Sequence, residues 1–285
     1  MFASRQVLLR LSGLVVGCAG LWLAWSQAQQ QPAALTMAKI SPNLYVIQSM
    51  NSGNVAVMPT NEGVLVVDDK FAVDGPELMN KIKSVTSQPI RYVLNTHQHG
   101  DHTGGNEAMK MQNASVIMHK NARANLVTLK QPGLSQITFA DESQVFLGGL
   151  EVRARHLGRG HTNGDAVIYF PSERVLHTGD LFVNGGAPFI DINNGGSIKE
   201  WDKTVQAALQ LDFDTVIPGH GPMAKKADLV KWVQTLGTLR TRIGDACKGG
   251  AAEDAAKRLN LDGLNMTPSA IFTNAIPGVC KELAQ

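Results

Sequence analysis

Thr96-His97-Gln98-His99-Gly100-Asp101-His102-Thr103-Gly104-Gly105-Asn106 is the stretch on which the fold and the chemistry of this chain turn. It follows an apolar run, Tyr92-Val93-Leu94, that reads as a β-strand ending at Asn95. Imidazole and carboxylate are donors that zinc, iron and manganese accept at about 2.0 to 2.2 Å. Four of them, His97, His99, Asp101 and His102, fall within six residues. In an extended segment side chains alternate with period two, so His97, His99 and Asp101 are expected on one side. Gly100 permits a turn that brings His102 into the same space. The bland alternative is a solvated loop with surface histidines, which rarely takes so dense a spacing.

Three later positions suit the same site. His161 lies in Gly158-Arg159-Gly160-His161-Thr162-Asn163-Gly164-Asp165, Asp180 in His177-Thr178-Gly179-Asp180, and His220 in Ile217-Pro218-Gly219-His220-Gly221. Each follows a short apolar strand and sits beside glycine. Alone, a Gly-Asp or Gly-His is more often a turn than a ligand; their order after the dense motif is what joins them to it. Only Cys18, Cys247 and Cys280 offer sulfur, too few for a structural zinc cluster, so a metal would be held by histidine and carboxylate. His119 and His156 read as structural histidines, His177 as a neighbour of the site, and Asp165 as a turn acid bonded to backbone. No elbow motif supports Ser-His-Asp catalysis.

The surrounding pattern is strand-rich. Leu44 to Ile47, Val55 to Met58 and Val64 to Val67 read as a meander, followed by a helix capped by Asp74 and Glu77 with Leu78, Ile82 and Val85 on one face. Strands and helices then alternate. Val116-Ile117-Met118 leads into a helix near Ala122 to Leu126, Val145 to Leu147 pairs with Val152 to His156, and Ala166 to Phe170 forms a hairpin with Val175-Leu176. Ser197 and Glu200 cap a helix, Thr215-Val216-Ile217 is a strand, and Leu229 to Ile243 mark a long amphipathic helix. Two sheets packed face to face with helices outside satisfy this order.

With these motifs the chain resembles the metallo-β-lactamase superfamily, over nearly all of the sequence from the meander through His220 and the helix beyond. The resemblance implies an α/β fold, an αββα sandwich, with a two-metal centre at one edge of the paired sheets. It implies a first metal on His97, His99 and His161, a second on Asp101, His102 and His220, and Asp180 touching both. Asp68 resembles the family's buried aspartate behind the ligands, although a strand-terminating acid is an equal reading. The implied cofactors are two Zn2+ per chain, with iron possible on the same donors. Water between two such cations loses a proton near neutral pH and becomes the nucleophile, oriented by Asp101 as the catalytic carboxylate.

The 285 residues are 44% hydrophobic with a formal net charge of +2, which excludes disorder and gives no basic face for nucleic acid. A small-molecule substrate is expected. Arg5 and Arg10 precede an apolar run from Leu11 to Trp25, and Ser26-Gln27-Ala28 offers a small-x-small cleavage site, so residues 1–28 read as an export signal. An uncleaved anchor and a lipobox at Cys18 are the other readings. The expected location is periplasmic or secreted, with no stable membrane span after cleavage. Residues 35–247 read as the catalytic domain and 248–285 as a helical tail. In an oxidising compartment Cys247 and Cys280 are expected to bridge, with two free thiols as the alternative.

The substrate expected from these residues is a small ester, lactone or thioester, because β-lactamases of the superfamily usually lack an aspartate at the position matching Asp180. The alternatives are β-lactam hydrolysis, favoured by export, and a diiron oxygenase acting on sulfur compounds. The segment Phe182 to Gly196, with Phe182, Phe189 and Ile190, is expected to close over a bound substrate, and Met50 to Asn54 to form the opposite wall.

Overall fold

The strand that carries the histidine motif lies in the middle of a seven-stranded sheet. In this computed structural model, which describes residues 34–285, that sheet runs β1 (Thr36–Ser41), β2 (Leu44–Gln48), β3 (Val55–Thr60), β4 (Gly63–Val67), β5 (Ile90–Leu94), β6 (Ser115–His119) and β7 (Ile137–Phe139) in spatial order. The second sheet holds β8 (Glu142–Leu147), β9 (Leu150–Arg155), β10 (Val167–Phe170), β11 (Val175–Val183), β12 (Thr215–His220) and β13 (Ala224–Lys225). The helices are α1 (Gly75–Lys83), α2 (Gly100–Thr103), α3 (Asn106–Met111), α4 (Lys120–Thr128), α5 (Ile198–Ala208), α6 (Lys226–Lys248), α7 (Ala255–Arg258) and α8 (Ala270–Leu283). The expected signal segment, its cleavage site and Cys18 lie outside the described residues.

Strand β4 shows why the sheets stack. Leu65 and Val67 point into the core between the sheets, against Ile168, Phe170 and Ile217 of the second sheet. Val64 and Val66 point outward, against Leu78 and Ile82 of α1 and Met109 of α3. Because both alternating sets are apolar, the strand is buried on both faces and needs a layer on each side. A third core, on the outer face of the second sheet, gathers Trp201 and Val205 of α5, Leu229, Trp232 and Leu236 of α6, and Phe272, Ile276 and Val279 of α8. The result is the αββα sandwich expected from the sequence, with the helices outside.

Some elements differ from their expected form. Helix α1 ends at Lys83, so Val85 lies beyond it, and its N-cap Asp74 makes no side-chain cap hydrogen bond; Pro76 in the first turn sets its start instead. Ser197 does cap α5, accepting from the Glu200 N–H. The expected pairing of Val145 with Val152 is present. Cys247 and Cys280 are bridged, joining the end of α6 to α8. Among the described residues no helix is long and apolar enough to cross a membrane.

The site is fixed by where parallel strands end. β4, β5 and β6 run parallel to one another, as do β11 and β12. Asp68 follows β4, Thr96 to His102 follow β5, Asp180 lies in β11 and His220 ends β12. Loops at the carboxyl ends of parallel strands converge on one rim, where ligands bind in open α/β sheets.

Candidate metal centre

Strand β5 stops at Leu94, the chain bends through Thr96, His97 and Gln98, and His99 returns to extended φ and ψ of −66° and 147°. Gly100 then opens the helical turn α2, so Asp101 and His102 reach the site from a helix rather than by strand alternation. The period-two expectation therefore fails along the motif from Thr96 onward, although His97, His99 and Asp101 still arrive at one place. Asp180 is aimed differently. The register of β11 against β12 shifts at Gly179, whose φ is 50°, and a Cβ there would lie 2.6 Å from Thr96 Cβ. This bulge, open only to glycine, turns Asp180 toward the histidines.

Each imidazole of the first group is held by one nitrogen and presents the other. Nδ1 of His97 lies 3.0 Å from the Thr96 hydroxyl, whose own proton goes to Asp68 Oδ2 at 2.8 Å. Nδ1 of His161 donates to the Phe189 carbonyl at 2.6 Å, and Nε2 of His99 lies 2.8 Å from Asp191 Oδ2. The remaining nitrogens converge: His97 Nε2 and His161 Nε2 stand 3.1 Å and 2.8 Å from His99 Nδ1. Burial, with the neighbouring imidazoles, pushes His97 well below the usual histidine range and His161 down to about 4. Neutral rings with lone pairs facing one another repel unless a cation stands among them.

The second group is richer in acid. His102 donates through Nδ1 to Asp68 Oδ2 at 2.7 Å, leaving Nε2 3.3 Å from His220 Nε2. Asp101 Oδ2 lies 3.1 Å from His220 Nε2 and 3.5 Å from His102 Nε2. Asp180 reaches both groups, with Oδ1 3.2 Å from His102 Nε2 and Oδ2 3.7 Å from His161 Nε2. That Oδ1 is buried yet forms no hydrogen bond. Burial opposes charge on His102, but Asp101, Asp180 and Asp68 outweigh it and hold its pKa well above the usual range. Burial likewise works against the ionised carboxylates of Asp101 and Asp180, and the facing histidines overcome it, keeping both well below the usual range.

Three donor sets lie with their atoms within 4.8 Å of one another: His97, His99 and His161; Asp101, His102 and His220; and His97, His102 and Asp180. All seven residues named from the sequence are thus brought together. Asp68 is fully buried at the back, with its Oδ1 accepting from the Thr96 N–H at 2.8 Å. An all-imidazole set beside a set of two imidazoles and one carboxylate, with one unsatisfied carboxylate oxygen between them, suits zinc and also iron. The site opens to solvent over His99, Asp101 and His220, whose side chains are 19%, 20% and 27% exposed.

Its walls differ in part from expectation. The Phe189 ring stacks on His99 with centroids 5.5 Å apart, whereas Phe182 and Ile190 are buried in the outer core. On the other side Gly53 donates its N–H to the Asp101 carbonyl at 3.2 Å, and its own carbonyl accepts from buried Lys70 at 2.7 Å. Met50, at the tip, is 98% exposed. Beyond Asp180 the Leu181 carbonyl accepts from both Trp201 Nε1 at 2.9 Å and Trp232 Nε1 at 2.8 Å.

Sequence reasoning assigned no role to Asp191, which orients His99. Its signal is local: Asp191 caps a 3-10 turn by accepting from the Asn194 N–H, a spacing readable as an Asx turn but silent about a histidine so distant in sequence. Asp165 behaves as expected, accepting from the Thr162 N–H and hydroxyl, and burial raises it to about 7. His177 donates through Nε2 to the Asn54 carbonyl and accepts from the Gly179 N–H, beside the site but outside the converging donors.

Residues 51–220 match the sequence profile of the metallo-β-lactamase superfamily. The chain is 25% identical over 208 residues to a type 2 metallo-β-lactamase of Elizabethkingia meningoseptica, covering 67% of this chain and 80% of that one. It is 26% identical over 173 residues to the metallo-β-lactamase IND-1 of Chryseobacterium indologenes, covering 59% and 72%. A solved metallo-β-lactamase from Pontibacter korlensis superposes with a TM-score of 0.66 at 25% identity, over 72% of this chain and 99% of that chain. The profile spans the dense motif and every other candidate ligand through His220, more than half of the sequence, so the chain belongs to the metallo-β-lactamase superfamily and is a metal-dependent hydrolase.

Proposed function

We propose that the protein is an exported two-zinc hydrolase of a small carbonyl substrate, and that the β-lactam amide is the first bond to test. The observation that carries the two-metal reading is the convergence of His97, His99 and His161 beside Asp101, His102 and His220, with Asp180 between them. In this reading those two triads each hold one zinc ion and Asp180 contacts both. The catalytic body is residues 35–247 and the tail 248–285. Export rests on residues 1–28 alone.

Relatives that are metallo-β-lactamases favour the β-lactam over the ester, lactone or thioester expected from the sequence. Asp180 favours that second reading, since a carboxylate at this position accompanies ester and thioester chemistry in the resemblance. When bound, zinc supplies Lewis acidity toward a carbonyl oxygen and a water acidified to near neutrality. The chain's own part is positional. Asp101, ionised and open to solvent on one side, accepts a hydrogen bond from the attacking water's O–H and so orients it. His97, His99 and His161, fixed through Thr96, Asp191 and Phe189, keep the electrophilic side rigid. The Phe189 ring gives the substrate an apolar surface.

Elemental analysis of the purified mature chain tests the centre, with about two zinc ions expected. A chromogenic cephalosporin, a lactone and a thioester test the bond. Dialysis against a chelator abolishes turnover and zinc restores it. Iron in place of zinc, or turnover of none of the three, overturns the proposal.

A further inference from the structure

We propose that Glu282, carried on a C-terminal helix locked by the Cys247–Cys280 disulfide, is a positioning residue that holds the loop Asn184–Gly196 and, through it, the orientation of His99 and His161. The inference rests on reading those two histidines as metal-holding residues.

The loop is the only covalent path from Asp180 to α5, and it does two things at the site. The Phe189 carbonyl fixes His161 Nδ1 at 2.6 Å, and the Asp191 carboxylate fixes His99 Nε2 at 2.8 Å. Yet it is a glycine-bearing segment that belongs to no sheet or α-helix, so something outside it must hold its shape. The body of the fold grips it through the Asn184 N–H on the His220 carbonyl at 3.0 Å and the Asn163 N–H on the Asn194 carbonyl at 2.9 Å, and the tail adds three further contacts. Gly186 forms an isolated parallel bridge with Thr267, and the Ala187 N–H donates to the Thr267 carbonyl at 3.2 Å. A Cβ at Gly278 would come within 3.4 Å of the Ile192 side chain, so the α8 backbone packs directly on the loop's 3-10 turn. At the loop's end the Glu282 carboxylate accepts from the Ser197 hydroxyl and, at 3.2 Å, from the Ile198 N–H.

The third contact is the most specific. Ser197 already uses its oxygen to cap α5 through the Glu200 N–H, so its hydroxyl proton is free to go to Glu282. One carboxylate thus takes the serine proton and one of the open N–H groups at the start of α5. Ser197 in turn donates its backbone N–H to the Gly160 carbonyl, and the Asp191 N–H donates to the His161 carbonyl. The route from Glu282 to both histidines therefore runs through the Ser197–Gly160 hydrogen bond, the covalent link from Gly160 to His161, and the hydrogen bonds of Asp191 to His161 and His99. The disulfide places α8 within reach of this contact: Cys280 is two residues before Glu282, and its Cα lies 5.5 Å from that of Cys247 at the end of α6.

Native hydrogen exchange read by mass spectrometry on the full mature chain tests this without requiring turnover. In Glu282→Ala, peptides spanning 186–196 are expected to exchange about ten-fold faster or more, while peptides spanning 90–106 keep the wild-type rate. Glu282→Gln, whose amide oxygen still accepts and whose N–H reaches Ser197, is expected to stay within about three-fold of wild type. The double variant Cys247→Ser/Cys280→Ser is expected to move the same peptides; should it not fold, Glu282→Ala decides. In Glu282→Ala, kcat is expected to fall more than KM rises, with zinc content unchanged. Unchanged exchange at 186–196, or acceleration spread evenly over 90–106 as well, overturns the assignment. If the wild-type chain turns over no carbonyl substrate, the functional reading falls while the exchange arms still decide this one.

Discussion

Replacing Gly53 with alanine adds one methyl group at a place the structure leaves no room for. Its Cβ would stand 2.3 Å from His102 Cε1, 2.6 Å from Nδ1 and 2.7 Å from Nε2. Ordinary contact begins near 3.4 Å, so one partner must retreat by about 1 Å. The ring is fully buried, with Nδ1 held by Asp68 at 2.7 Å. The loop is equally fixed, through the Gly53 N–H on Asp101 and the Gly53 carbonyl on Lys70. Overpacking of this kind costs about 1 to 3 kcal/mol of stability, and a 1 Å displacement of a site residue costs on the order of 100-fold in rate. The expected outcome for Gly53→Ala is loss of roughly one zinc per chain and a fall of about 100-fold in kcat/KM, with a modest drop in denaturation midpoint. Gly237→Ala is the control: no atom lies within 4 Å of that Cβ, which sits in α6, so helix propensity alone gives a gain of about 0.5 to 1 kcal/mol. Wild-type zinc content together with wild-type turnover in Gly53→Ala would refute the claim that loop and His102 are locked together.

Asp180→Ala removes the carboxylate between the two triads; zinc stoichiometry should fall toward one per chain and turnover by orders of magnitude, and full zinc with full activity would remove Asp180 from the centre. Phe189→Ala deletes the ring stacked on His99 but keeps the carbonyl that holds His161, so both metals should stay while relative kcat/KM among the cephalosporin, lactone and thioester shifts; loss of metal would place the ring in a supporting role instead. His119 caps α4 with an unprotonated Nδ1 and stacks on His156 at 4.0 Å, and burial with that neighbour lowers it from 6.5 to about 4. The unfolded chain then binds more protons between about pH 6.5 and 4, so stability falls as pH drops through that window, and His119→Asn, which keeps a cap without titrating, should lose less. Urea midpoints at pH 7, 5.5 and 4 decide it; parallel losses in both proteins would exclude His119 as the source.

What was legible in the sequence was what sits close together in it. His97 to His102 announce themselves because the ligands are adjacent, and the meander and capped helices announce themselves because strand alternation and the Ser197 cap are local signals. Asp191 did not, since nothing around an Asx turn shows that its carboxylate meets His99. Phe182 and Ile190 look like lid residues only as long as the outer core formed by α5, α6 and α8 is unknown; that core claims them. Strand β1 escaped notice because it is a largely exposed edge with no apolar alternation to read. The substrate lies on a further level again, set by loop surfaces rather than by the histidines and carboxylates that converge at the rim.

The two indoles hanging on the Leu181 carbonyl give the protein an optical reporter of its own. Of the four tryptophans, Trp22 and Trp25 lie within residues 1–28, so a chain lacking that segment, excited beyond the tyrosine absorption band, emits only from Trp201 and Trp232. Both donate to the carbonyl of Leu181, the residue after Asp180, and the Trp201 and His161 ring centroids are 6.2 Å apart. Any shift of Asp180 or His161 on loading or stripping the centre changes the polarity and quenching around both fluorophores at once. Unlabelled tryptophan emission, followed during a titration, therefore reads out events beside the donor cluster.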